Sequence, residues 1–168
     1  GTQHGGILVD FNAVKGGIEI IPLDNDWQRA AHVYSDEVLI SHRTDAEKGT
    51  PKFERGKSLS DHQQEMIYIS GTAAIRGEES IVTGDVLVQT EITLENIQHL
   101  IGLEEGREKL PEHSGKLELL RVYLKHEEDA KIVKEDMDKL CPDVPIVYLY
   151  ADVCREELLV EIEGIAYL

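Results

Sequence analysis

Aromatic residues are scarce in this chain. Phe, Trp and Tyr make up 5% of its 168 residues, with one Trp and two Phe. So few rings cannot lay out the stacking platforms on which single-stranded nucleic acid is held. Basic residues are also few: 17 Lys and Arg stand against 33 Asp and Glu, a formal net charge of −16, and no Lys/Arg run exceeds two residues. A surface of that sign repels phosphate backbones, so no nucleic-acid partner is expected. Most of the acidity reads as ordinary solubilising surface. There are two cysteines, Cys141 and Cys154, too few for a disulfide scaffold and consistent with a reducing cytoplasm. The seven histidines form no HxH or HExxH pattern and there is no CxxC, so no metal site is expected. No apolar run approaches the roughly 18 residues that span a membrane. The N-terminus carries no signal-peptide pattern. A cytoplasmic location without a membrane partner is expected.

What is present is an ordinary globular composition, 41% hydrophobic and 30% charged. The length suits one domain with a core of its own. Residues 1–168 are read as a single domain, with 1–50 as an N-terminal extension or the start of a fragment, because Gly1 rather than Met opens the chain.

Ile7–Asp10, Gly17–Ile21 and Val33–Ser41 read as strands. The polar stretch from Ser41 to Gln64 reads as a long loop, and loops of that length are often functional. Phe53 within it reads as a groove anchor. Met66–Ser70 is a short apolar strand ending at Gly71. A helix follows Gly84-Asp85 and stops at Gly102: Asp85 sits at the positive end of its dipole, and Gly suits its C-terminal turn. Lys116–Leu124 reads as a buried strand. From His126 to Leu140 a second helix places Ala130, Val133, Met137 and Leu140 on one face, with acids first and lysines later, as its dipole favours. Strands follow at Pro145–Tyr150 and Leu158–Ala166. This order predicts two helices packed on one face of a mixed sheet, an α+β fold.

Two blocks carry a resemblance. One is Ile69-Ser70-Gly71-Thr72-Ala73-Ala74-Ile75, followed by Gly84-Asp85-Val86, Gln89-Thr90 and Thr93-Leu94-Glu95-Asn96-Ile97. The other is Leu159-Val160-Glu161-Ile162-Glu163-Gly164. In this order they resemble the signature of the YjgF/RidA superfamily (the endoribonuclease L-PSP family), covering roughly Arg55 to Ala166. The resemblance implies a chorismate-mutase-like fold, a homotrimer and ligand clefts between subunits. Ala151-Asp152-Val153-Cys154-Arg155, the closing strand, and Phe53-Glu54-Arg55 are more narrowly similar to the C-terminal domain of chorismatases. That group, about twice this length, removes the enolpyruvyl group of chorismate without a cofactor.

In that group a glutamate matching Glu161 protonates the enolpyruvyl methylene, and Cys154 matches a position lining the same pocket. The residues themselves support part of this. Glu161 and Glu163 lie two apart on a strand and share a face; such a pair is ordinarily solvated. A free Glu titrates at about 4.3, so an acid role requires burial or a like charge nearby. No histidine neighbours Cys154 to act as its base. A carboxylate substrate requires a cation: Arg155 is the first candidate and Arg76 the second. Ser70 and Gly71 either simply make the turn or offer backbone N–H groups to an anion, and Tyr148, with Tyr150, either walls the cleft or packs in the core. RidA deaminases hold their substrate with an arginine in the penultimate strand; here that place falls near Ile146 or Val147.

The expected function is a cofactor-free small-molecule hydrolase acting on an enolpyruvyl or imine-bearing carboxylate through Glu161. The alternatives are a non-catalytic binding or assembly module of the same fold, a RidA-type enamine/imine deaminase, and RNA cleavage, which the charge disfavours.

Overall fold

The computed structural model describes residues 9, 11–35, 38, 49–61, 63–81, 84–102 and 116–168. Eight strands and two helices are assigned among them. The strands are β1 (Glu19–Leu23), β2 (Gly56–Ser60), β3 (Glu65–Thr72), β4 (Ile75–Arg76), β5 (Glu79–Ser80), β6 (Lys116–Leu124), β7 (Ile146–Tyr150) and β8 (Val160–Tyr167). The helices are α1 (Val86–Ile101) and α2 (Ala130–Leu140). Six strands form one sheet in the order β1-β2-β3-β8-β6-β7, while β4 and β5 make a separate two-stranded hairpin. All neighbours are antiparallel except β6 and β7. A parallel pair needs a crossover, and α2 supplies it. The expected α+β architecture, two helices with a mixed sheet, is the one observed.

Alternation decides the faces. β8 runs buried, half-buried, buried along its length, with Val160, Ile162, Gly164 and Ala166 turned inward. Leu120, Val122 and Leu124 of β6 and Val133 and Met137 of α2 are fully buried in the same cluster. Each such side chain contributes about 1.5–3 kcal/mol through burial. The opposite face of β8 carries Glu161 and Glu163, half-buried on a strand at the sheet centre.

α1 starts where the sequence says it should. The Asp85 carboxylate accepts from the N–H groups of Leu87 (2.9 Å) and Val88 (3.4 Å), satisfying donors the first turn leaves open. Gly102 closes the helix at φ 75°, a conformation other residues resist. Two of the buried polar residues of α1, Gln89 and Asn96, each tie down a loop. Gln89 donates to the Glu157 carbonyl (2.9 Å) and accepts from the Leu159 N–H (2.8 Å). Asn96 donates to the carbonyls of Ala73 (3.0 Å) and Ile75 (3.1 Å). The signature Gln and Asn thus fix the segments before β8 and after β3.

Several expectations change. Ala31–Val33 is a single 3-10 turn and residues 34–35 are not in a strand; 36–37 and 39–41 lie outside the described residues. Of the strand expected at Ile7–Asp10, only Val9 is described, and it has no regular structure. The loop expected from Ser41 to Gln64 contains β2. That strand was hidden because its inward residues are Gly56 and Ser58, not large hydrophobics. A Cβ on Gly56 would lie 3.0 Å from the Tyr68 carbonyl oxygen and 3.1 Å from Leu100 of α1, so close packing there selects the small residue. Among the described residues, no helix is long and apolar enough to cross a membrane.

Candidate active site

A pocket of about 470 Å³ opens beside the C-terminal end of β3 and the start of β8. Its size suits a small molecule. Its walls include Glu161, Cys154 and Arg155, Ser70 and Gly71, and Tyr34, Phe53 and Arg55. Segments far apart in sequence therefore meet at one point, and the sheet explains how. β3 and β8 pair antiparallel, but their register shifts between Ile69, opposite Gly164, and Thr72, opposite Ile162. Ser70 and Gly71 fill that irregularity. Bulges re-aim backbone next to active sites, and here the bulge makes room for the Glu161 carboxylate. A Cβ on Gly71 would lie 2.2 Å from Glu161 Oε1.

Glu161 holds its proton more strongly than an ordinary glutamate. Burial raises its pKa, and the negative charge of Glu163 adds to the effect. Tyr123 lies directly across from Glu161 in the β6–β8 register. Its hydroxyl, however, donates to Glu163 (2.6 Å), and Arg121 Nε sits 2.9 Å from the same Glu163 oxygen. Burial and the Glu163 hydrogen bond push Tyr123 up to about 12.

Cys154 has an exposed surface, yet the atoms around its thiol raise the pKa, chiefly by burial and then by the Glu161 charge. The two observations agree for a thiol on the wall of an open pocket. Such a thiol stays protonated at neutral pH and is a poor nucleophile. Arg155 outweighs neither effect, although its charge acts in the opposite direction.

Two guanidinium groups line the pocket. Arg155, 8% exposed, donates from Nη1 to the Glu78 carbonyl (2.8 Å) and to Ser80 Oγ (3.0 Å). Arg55, 5% exposed, donates from Nη2 to the Arg29 carbonyl (2.7 Å) and to the Tyr34 hydroxyl. Among the described residues its buried Nε has no hydrogen-bond partner. Among the described residues, no carboxylate forms an ion pair with either group. A buried cation without an ion-pair partner is costly to maintain, and a buried Nε without an acceptor adds to that cost. Both features suit a site that receives an anion.

The sequence-based candidates therefore divide. Glu161, Cys154, Arg155, Ser70 and Gly71 line one pocket; Glu163 and Tyr148 do not. Glu163 stands on the same sheet face but is engaged by Tyr123 and Arg121. Tyr148 pairs with the fully buried Val122 and packs against the core, the other of its two readings. Among the described residues its buried hydroxyl has no hydrogen-bond partner, and burial and Asp138 push its pKa up to about 12. The N–H of Ser70 already donates to the Arg55 carbonyl (3.1 Å), so it is not available to an anion. Arg76 lies elsewhere, paired with Glu95 (2.6 Å) and stacked over Trp27 (4.7 Å). Arg55 and Tyr34 are the residues that were not singled out. The sequence signal for Arg55 was its place in Phe53-Glu54-Arg55, a segment similar to chorismatases; its guanidinium sits 5.1 Å from the Phe53 ring centroid.

No family model matches the sequence. Over 173 residues the chain is 32% identical to a chorismatase of Streptomyces rapamycinicus, aligning 98% of this chain with 48% of that protein. Over 178 residues it is 36% identical to a 3-hydroxybenzoate synthase of Streptomyces hygroscopicus, again 98% of this chain and 48% of that one. The chain spans about half the length of the curated relatives it matches. A chorismatase crystal structure superposes with a TM-score of 0.71 at 28% identity, over 88% of this chain and 43% of that one. The Escherichia coli YjgF gene product shares the fold, with a TM-score of 0.57 at 17% identity over 87% of this chain and 97% of that one.

Proposed function

The chain belongs to the YjgF/RidA superfamily, close to chorismatase-like proteins, and on that footing we propose that it hydrolyses the enolpyruvyl ether of chorismate or a closely similar carboxylate. The observation that carries this reading is the meeting of a proton-retaining Glu161 with two guanidiniums, Arg55 and Arg155, in one pocket.

The chemistry follows from those groups. Arg55 and Arg155 bind substrate carboxylates. Glu161 gives its proton to the methylene carbon, and the C=C electron pair becomes the new C–H bond of a methyl group. The adjacent carbon becomes an oxocarbenium centre, which the Glu161 carboxylate stabilises. Water adds to that centre and returns a proton to Glu161. The hemiketal C–O bond then breaks to give pyruvate and an alcohol, which takes up the proton. Cys154 remains a thiol and shapes the wall, with no covalent step.

The direction of the Glu161 shift sets the pH dependence. Its acid form is the active one, so kcat/KM should fall as pH rises through its pKa, about tenfold per unit beyond it. Because that pKa is raised, the falling limb should lie above the usual carboxylate range. Pyruvate release from chorismate, measured from pH 4 to 9, tests this. A rate that rises steadily across the interval would exclude Glu161 as the acid.

Among the described residues, the sheet face opposite the helices exposes apolar side chains. Val147 (47% exposed), Leu149 (36%) and Ile20 (48%) add apolar surface to it. We propose that copies of the chain cover this face as a homotrimer, which would narrow the pocket mouth. Light scattering should give three chain masses; one chain mass at micromolar concentration would refute it.

A further inference from the structure

Glu78 joins the pocket to a segment that does not belong to the sheet. It occupies the tip of the β4–β5 hairpin, between Gly77 and β5. Residues 25–35 run across this part of the molecule as a strap. Asn25 donates to the Asn96 carbonyl (2.9 Å), and Gln28 donates to Thr72 Oγ1 (3.1 Å) and the Ile75 carbonyl (3.3 Å). Backbone bonds link the Gly77 N–H to the Trp27 carbonyl (2.8 Å) and the Arg29 N–H to the Gly77 carbonyl (2.7 Å). The first half of the strap is thus held by several buried bonds.

The second half is held differently. Its last residue, Ser35, donates its N–H to Glu78 Oε2 (2.8 Å) and its hydroxyl to Glu78 Oε1. Arg29 Nη1 lies 3.1 Å from Glu78 Oε2. Next to Ser35 is Tyr34, 8% exposed and part of the pocket wall. Both pocket guanidiniums lie over its ring, Arg155 at 5.6 Å and Arg55 at 5.8 Å from the centroid. Arg55 also donates to its hydroxyl. The same Glu78 accepts from Arg155 through its backbone carbonyl.

We propose that Glu78 is a positioning residue for the anion site: its carboxylate clamps Ser35 so that Tyr34 stays against Arg55 and Arg155 and fixes both guanidiniums. The functional half of this inference rests on the reading of the pocket as a carboxylate site; the clamp itself does not. Ionised Glu78 suits the task, since the two Ser35 bonds hold its carboxyl below the usual range. The Arg29 pair is a lesser part, because Arg29 is about half exposed and such pairs contribute little.

Three variants separate the roles. Glu78→Ala removes both Ser35 bonds, Ser35→Ala removes only the hydroxyl bond, and Glu78→Gln keeps an acceptor oxygen. Amide exchange of Ser35, followed by NMR without substrate, should accelerate at least tenfold in Glu78→Ala while Ile69 in β3 is unchanged. Glu78→Gln should stay near wild type and Ser35→Ala should fall between. With chorismate, KM should rise about tenfold in Glu78→Ala with kcat within about twofold, and Glu78→Gln should restore it. Unchanged Ser35 exchange in Glu78→Ala overturns the clamp. Faster exchange with an unchanged KM, in a protein that turns over chorismate, overturns the positioning role. Should the wild type show no turnover, the functional reading fails, while Ser35 exchange still decides the clamp.

Discussion

Glu161→Gln is expected to lower kcat for pyruvate release from chorismate by about 10²–10⁴-fold, the range ascribed to a positioned acid. Gln has the shape of Glu but no acidic proton, while Arg55 and Arg155 remain, so KM should change by no more than a few-fold. A rate within tenfold of wild type would rule out Glu161 as the proton donor. Stability supplies an independent check. The folded pKa of Glu161 is raised, so the folded state binds more protons than the unfolded one between the ordinary carboxylate pKa and the raised value. Wild-type stability should therefore fall as pH rises through that window. Gln has nothing to titrate. Relative to wild type, the variant should gain in thermal midpoint on going from pH 4 to 7. A constant difference between the two proteins would show that Glu161 titrates normally.

The second large effect is expected from a residue with no chemistry of its own. Gly71→Ala places a methyl group 2.2 Å from Glu161 Oε1 and 3.0 Å from its Cδ. Something must move. What the new atom meets is the end of a flexible side chain, so the carboxylate swings aside and the fold survives. Gly164 shows the contrast: a Cβ there meets the Leu119 carbonyl oxygen at 2.5 Å, and backbone cannot swing. A displacement of about 1 Å in a reacting group can cost 10²-fold in rate. Gly71→Ala should therefore lose about 10²-fold in kcat while its thermal midpoint stays within a few degrees of wild type. A fully active Gly71→Ala would mean that the position of Glu161 against β3 is immaterial to turnover.

Much of this arrangement was legible in the sequence because it obeys short-range rules. Asp85 and Gly102 bracket α1, and strict alternation from Val160 marks β8 and assigns Glu161 and Glu163 to the outer face. What alternation cannot give is which of two outward residues reaches a pocket. Glu161 does so because the Ser70–Gly71 bulge opens space beside it; Glu163, two positions on, meets Tyr123 and Arg121 instead. Tyr148 carried two readings, cleft wall or core, and alternation does not choose between them. Its face depends on its register with Val122 across a parallel pair joined through α2, a long-range fact that no local pattern carries. Arg55 and Tyr34 lie in polar, aperiodic segments. Apart from the local contact of Arg55 with Phe53, their partners are Arg29 and each other, contacts that exist only once the strap is in place.

The most direct test of the central claim is to incubate purified protein with chorismate in deuterium oxide and examine the methyl group of the product pyruvate by NMR. Proton delivery from Glu161 to the methylene carbon, as proposed, would place one solvent deuterium in that methyl group. No pyruvate, or pyruvate with an unlabelled methyl group, would contradict it.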